Sequence, residues 1–115
     1  MLKNENIQNN DIEKLHDFHI HAHGHYVVIT AKTINNNSYT FMATASIIKY
    51  ILCNMNQIIV VGPLSNIQFA NIITALKNMN CGFKIFSINN KMVLISGNKI
   101  KDLEKNKLKV KKEIK

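Results

Sequence analysis

Residues 26–30 read Tyr-Val-Val-Ile-Thr, a continuous β-branched run with no polar alternation. Such a run is a strand held at a sheet centre or covered on both faces. A second short run at 57–61, Gln-Ile-Ile-Val-Val, repeats the signal. Between them Asn35, Asn36, Asn37 and Ser38 break the chain, and then Phe41, Ala45, Ile48 and Leu52 recur at intervals of three and four, with Ile47 and Ile51 alongside. That spacing predicts a helix over 39–52 with one wide apolar stripe. Two strands separated by a helix require a sheet with a helical layer on it.

The pattern continues beyond residue 61. Gly62, Pro63 and Leu64 make a turn, and Ser65 followed by Gln68 is a capping-box signature that starts a second helix. Phe69, Ile72, Ile73, Leu76 and Met79 line it, and Gly82 stands just past its end. Residues 83–88 and 91–96 are β-prone, with Asn89 and Asn90 either a two-residue hairpin turn or a kink in one long strand. Leu108, Val110 and Ile114 alternate with lysine and glutamate, which predicts a final edge strand over 107–114. Residues 1–24 show neither period and are read as a flexible arm rich in His and Asn, so that the first buried element begins at Tyr26. The expected fold is α/β (α+β) and two-layered, in the order strand, helix, strand, helix, strand, strand, over residues 25–115. A chain of 115 residues, 46% apolar, has room for one such domain.

Charge narrows the function. All 15 basic residues are lysine, against 7 acids, for a formal charge of +8. Position says more than number: between residues 18 and 98 stand Lys32, Lys49, Lys77, Lys84 and Lys91 and no carboxylate. Residues 99–115 hold eight lysines against Asp102, Glu104 and Glu113. A positive field of this kind favours polyanionic partners. No apolar run approaches the ~20 residues that span a bilayer, and Met1 to Asn10 is polar, so neither a membrane segment nor a secretory leader is expected and the location implied is nucleus or cytoplasm.

The element order in a small basic chain resembles the Alba family of DNA- and RNA-binding proteins, over residues 26–115. The family's first strand ends in a lysine-bearing loop, here Ala31 and Lys32. Its early helical aromatic with Ala four residues on is Tyr39 with Ala43, or Phe41 with Ala45. Its G-x-G-x-A-I turn reads Gly62, Pro63, Leu64, Ser65, Asn66, Ile67, keeping the first Gly and the Ile. The lysine that follows that isoleucine in the family is Phe69 here. The resemblance implies an Alba-like sandwich with a long basic hairpin over 83–115, whose tip carries Lys99, Lys101, Lys105 and Lys107. It implies binding of RNA or DNA through phosphates, and a homodimer or a heterodimer with another Alba-like chain. Subunits of ribonuclease P and MRP share that fold, so a structural subunit of a ribonucleoprotein is the alternative it carries. Apolar residues on several faces of the second helix, Phe69, Ile72, Ile73 and Leu76, also point to a dimer.

Other chemistries are weaker. His16, His19, His21, His23 and His25 stand on the expected arm, and an extended chain sets the last four on one side, where two or three can share a soft divalent ion. Purpose-built zinc sites take ligands fixed by a rigid core, so no metal is expected there. Cys53 and Cys81 lack CxxC spacing and read as buried free thiols. The turn at Gly62 lacks both GxGxxG and a Walker lysine, so no cofactor and no enzymatic activity are expected. Phe86, Tyr39 and Tyr26 are the rings available to bases. The residues expected to bind nucleic acid are Lys32, Lys99, Lys101, Lys105 and Lys107, since a lysine ammonium suits phosphate contact without base reading.

Overall fold

Phe18, Ile20 and Ala22 alternate with His19, His21 and His23, and this period of two makes His16–His23 a strand, β1. The computed structural model describes residues 7–114, and side chains to residue 105. The expected flexible arm is corrected: β1 lies inside the sheet with Phe18 and Ile20 fully buried. Residues 1–6 of that arm lie outside the described residues. A short helix, α1 (Asn9–Ile12), precedes the strand and buries Ile12. Gly24, at φ 64°, begins the tight reversal into β2 (Tyr26–Lys32), which runs antiparallel to β1. A register shift between His16 and His19, with Asp17 at φ 56°, kinks the start of β1.

The helix expected over 39–52 is also corrected. Ser38–Met42 is a strand, β3, pairing Thr40 with Thr30 and Phe41 with Ile29. Tyr39 and Phe41 turn to the core together, ring centroids 6.2 Å apart. The helix α2 (Ala45–Lys49) begins only after Thr44, whose hydroxyl accepts the Ile47 amide at 3.2 Å. It continues as a π-helical turn over Tyr50–Asn54, closed by Met55 N donating to Tyr50 O at 3.0 Å.

β4 (Ile59–Val61) then lies parallel to β1, and α3 (Asn66–Asn78) follows with both halves of its capping box formed. Gln68 N donates to Ser65 Oγ at 3.1 Å, and Ser65 N to Gln68 Oε1 at 3.0 Å. Ile72 and Leu76 of α3 are buried in the chain's own core. β5 (Phe83–Ile88) and β6 (Lys91–Ser96) form a hairpin, and Asn89 and Asn90 take φ 52° and 65° at its turn, so the hairpin rather than the kink is what forms. The hairpin ends at Ser96, so the long basic arm over 83–115 is absent. The edge strand expected over 107–114 is helical instead: α4 spans Gly97–Ile114. Ser96 Oγ accepts the Lys99 amide at 3.1 Å and donates to Asn56 Oδ1 at 3.0 Å, while Asn56 Nδ2 donates to Asp102 Oδ2 at 3.2 Å. That chain of bonds fixes the first turn of α4.

The six strands make one mixed sheet in the order β3-β2-β1-β4-β6-β5, with β1 and β4 parallel and the other pairs antiparallel. The class is therefore α+β, as the sequence implied, but two strands more than the expected order precede α2. Phe18, Ile20, Ile29, Ala31, Phe41, Ile59 and Leu94 face one side of the sheet and cluster with Ile47, Ile48, Ile51, Leu52, Ile72 and Leu76 from the helices. Burying these side chains is the main favourable term in folding, at roughly 1.5–3 kcal/mol for each Phe, Ile or Leu.

Candidate nucleic-acid interface

The second face of the sheet follows from the register. One row crosses all six strands: Thr40, Thr30, His19, Val60, Val93, Phe86. Strand alternation adds His21, His23, Tyr26, Val28, Lys32, Met42, Lys84, Ile88, Lys91 and Ile95 to the same face. His19, His23, Lys32, Lys84 and Lys91 are exposed, as are Tyr26 at 57%, Phe86 at 42% and Ile88 at 40%. Val28, Val93 and Ile95 are buried on this side. Val28 stands between two taller register neighbours, His21 and Met42, and Val93 stands between Val60 and the taller Phe86.

Two shallow grooves join along β4. One is lined by Asp17, His19, Gln57, Ile58, Val60 and Lys99. The other is lined by Ile58, Val60, Ile88, Asn89, Lys91 and Val93. Lys99 is brought there by the Ser96 cap, which turns the chain from β6 into α4 beside the start of β1. Lys32 pairs in register with His16 and Lys84 with Ile95, so Lys32, Lys84 and Lys99 all stand toward the end of the face where β1 begins. Among the described strand residues on this face Asp17 is the single carboxylate, and it pairs with His16 at 3.3 Å.

Lys32 and Lys99, both expected site residues, thus share one face. Lys101 and Lys105 do not join them. They line a separate depression on α4 with Asn98, Asp102 and Glu104, where two acids offset their charge. Lys107 lies in α4, and its side chain is outside the described residues. Of the three rings, Tyr26 and Phe86 are on the open face and Tyr39 is in the core. Sequence reasoning passed over Lys84, Lys91 and His19 as site residues. The alternation Lys84, Phe86, Ile88 in β5, read with a hairpin at Asn89 and Asn90, was the signal for the first two.

Two of the histidines are held by hydrogen bonds within the fold. His21 Nε2 is 3.0 Å from Thr30 Oγ1, packed over Gly62, where an added Cβ would come within 3.2 Å of His21 Cβ. His16 Nε2 donates to Thr33 O at 3.1 Å. Among the described residues no three His, Cys, Asp or Glu side chains come together to hold an ion. No described helix is long and apolar enough to cross a membrane. No family model, curated protein or solved structure matches this chain.

Proposed function

We propose that this protein is a non-enzymatic nucleic-acid-binding domain that holds the phosphates of RNA or DNA over the open face of its sheet, with little sequence preference. The observation that carries this reading is the charge of that face. Lys32, Lys84, Lys91 and Lys99 border a surface on which Asp17 is the single described carboxylate and Phe86 and Tyr26 are exposed. Ammonium groups around a flat surface suit a phosphate backbone, and rings within it suit unpaired bases. This is the activity that the Alba resemblance implies, with the contact surface on the sheet in place of a hairpin arm. Lys101 and Lys105 stand apart on α4 beside Asp102 and Glu104 and contribute less.

Fluorescence anisotropy with labelled oligonucleotides tests it. The combined variant Lys32→Gln, Lys84→Gln, Lys91→Gln, Lys99→Gln removes most of the affinity, while Lys101→Gln with Lys105→Gln removes less. If the face variant, folded by circular dichroism, binds as the parent does, the sheet is not the interface.

One observation favours a protein partner as well. β5 is an edge strand whose hairpin exposes Ile85, Phe86, Ile88 and Met92 at 40–43% each. An exposed apolar edge suits pairing with a second copy or with another subunit of a ribonucleoprotein. Sedimentation at tens of micromolar, approximately, shows a dimer that Ile85→Lys dissolves; a monomer throughout removes the self-pairing form of this reading.

A further inference from the structure

We propose that Cys53 and Cys81 form a reversible dithiol–disulfide couple that staples the helical layer under oxidation. Their sulfur atoms lie 3.1 Å apart although 28 positions separate them in the chain. Both are free thiols. Cys53 lies in the π-helical turn after α2, and Cys81 follows α3, so the pair bridges two elements of the helical layer. Their backbones are held in place. Cys81 N donates to Leu76 O at 3.0 Å, and Lys49 Nζ, one turn before Cys53, donates to Met79 O at 3.0 Å. Closing the sulfurs to a bond needs a movement of about 1 Å.

The two thiols are not equivalent. Cys53 is half-buried and meets an oxidant first, whereas Cys81 is 6% exposed. Burial pushes the Cys81 thiol up to about 12, helped by its hydrogen bond with Cys53 and opposed by the Lys49 ammonium. The part due to Cys53 disappears once Cys53 is oxidised, and the Cys81 sulfur already stands within reach of the Cys53 sulfur to resolve the intermediate. With hydrogen peroxide, the Cys53 thiol takes one oxygen to become a sulfenic acid and its proton leaves with the other oxygen as water. Cys81 sulfur then attacks the Cys53 sulfur, its proton joins the departing hydroxyl as a second water, and the S–S bond forms. With a low-molecular-weight disulfide the same bond forms by two exchanges that release two thiols.

The bridge closes a loop that contains β4 and α3. It therefore restricts the unfolded chain and raises the thermal midpoint, by about 10 °C or more on the chain-entropy account. The test uses the whole protein, exposed while folded to hydrogen peroxide or oxidised glutathione, quenched in acid and alkylated in denaturant. The expected result is a monomer about 2 Da lighter with no alkylated thiol, a non-reduced digest joining the Cys53 and Cys81 peptides, and reversal by dithiothreitol. The midpoint rises in the parent and stays put in Cys53→Ser and, should that variant fold poorly, in Cys53→Ala. Two alkylated thiols after treatment, a glutathione adduct that persists on Cys53, or a disulfide between two molecules each overturn the proposal.

Discussion

Cys81 keeps its proton to about pH 12 in the folded protein, chiefly because it is buried, while an unfolded cysteine loses it near 9. Between those values the unfolded chain binds fewer protons than the folded one, so stability falls as pH rises through that window. Urea melts from about pH 8.5 to 11 should show this fall, and Cys81→Ala should flatten it by up to one proton per molecule. Lysine and tyrosine titration is common to both proteins and cancels in the comparison. Tyr50 shifts in the same direction, through the hydrogen bond its hydroxyl donates to the Glu13 carboxylate. An equal slope in parent and variant would show that Cys81 is not the group responsible. Sequence reading expected Cys53 and Cys81 to be buried free thiols, because neither has a ligand-like spacing; Cys81 is buried and Cys53 only half-buried. Their contact was illegible, since a separation of 28 positions carries no local pattern.

Among the elements, β1 and α3 give opposite lessons. Ser65 and Gln68 form the capping box that their spacing announced, because a cap depends only on residues within one turn. Ser65→Ala should therefore cost about 1 kcal/mol, and Ser65→Gly a few tenths, measured as midpoint shifts in urea. β1 was missed because histidine at every second position looked like a polar tail, though Phe18, Ile20 and Ala22 alternate with it as a half-buried strand requires. Phe18→Ala should cost about 3–5 kcal/mol, since its ring is fully buried at the centre of the sheet. A loss under 1 kcal/mol, approximately, would return residues 16–23 to the status of an arm. The segment 39–52 failed for another reason: Phe41 satisfies both the helical stripe and the strand alternation, and pairing with β2 decided between them. At the other end, Ser96 capping Lys99 with Ile100 and Leu103 three apart was a helical signal, while Leu108 and Val110 alone suggested a strand. Of the candidate site, Lys32 and Lys99 were legible as charge, but the face they share required the strand order.

Across the whole molecule, charge and shape separate into two sides. The helical layer carries Lys49 and Lys77, and the open sheet face carries Lys32, Lys84 and Lys91 with Lys99 at its border. If those four touch phosphates, log K against log salt should slope by about −3.6 on duplex DNA and about −2.8 on a single strand. The sheet also presents something a duplex cannot use. Phe86 and His19 lie in one register row with Val60 and Val93 between them, three strand spacings or about 14 Å apart. Unpaired bases can lie over such a strip while the backbone follows the lysines, whereas a duplex keeps its bases stacked inside. Phe86→Ala should therefore weaken a single-stranded oligonucleotide by about 1–3 kcal/mol, some 5- to 150-fold, without changing the salt slope, and should leave duplex affinity where it was. Parallel titrations of both ligands at several salt concentrations decide it. Equal losses on single strand and duplex would mean that Phe86 supports the face structurally, and no loss on either would leave the lysines as the whole of the interface.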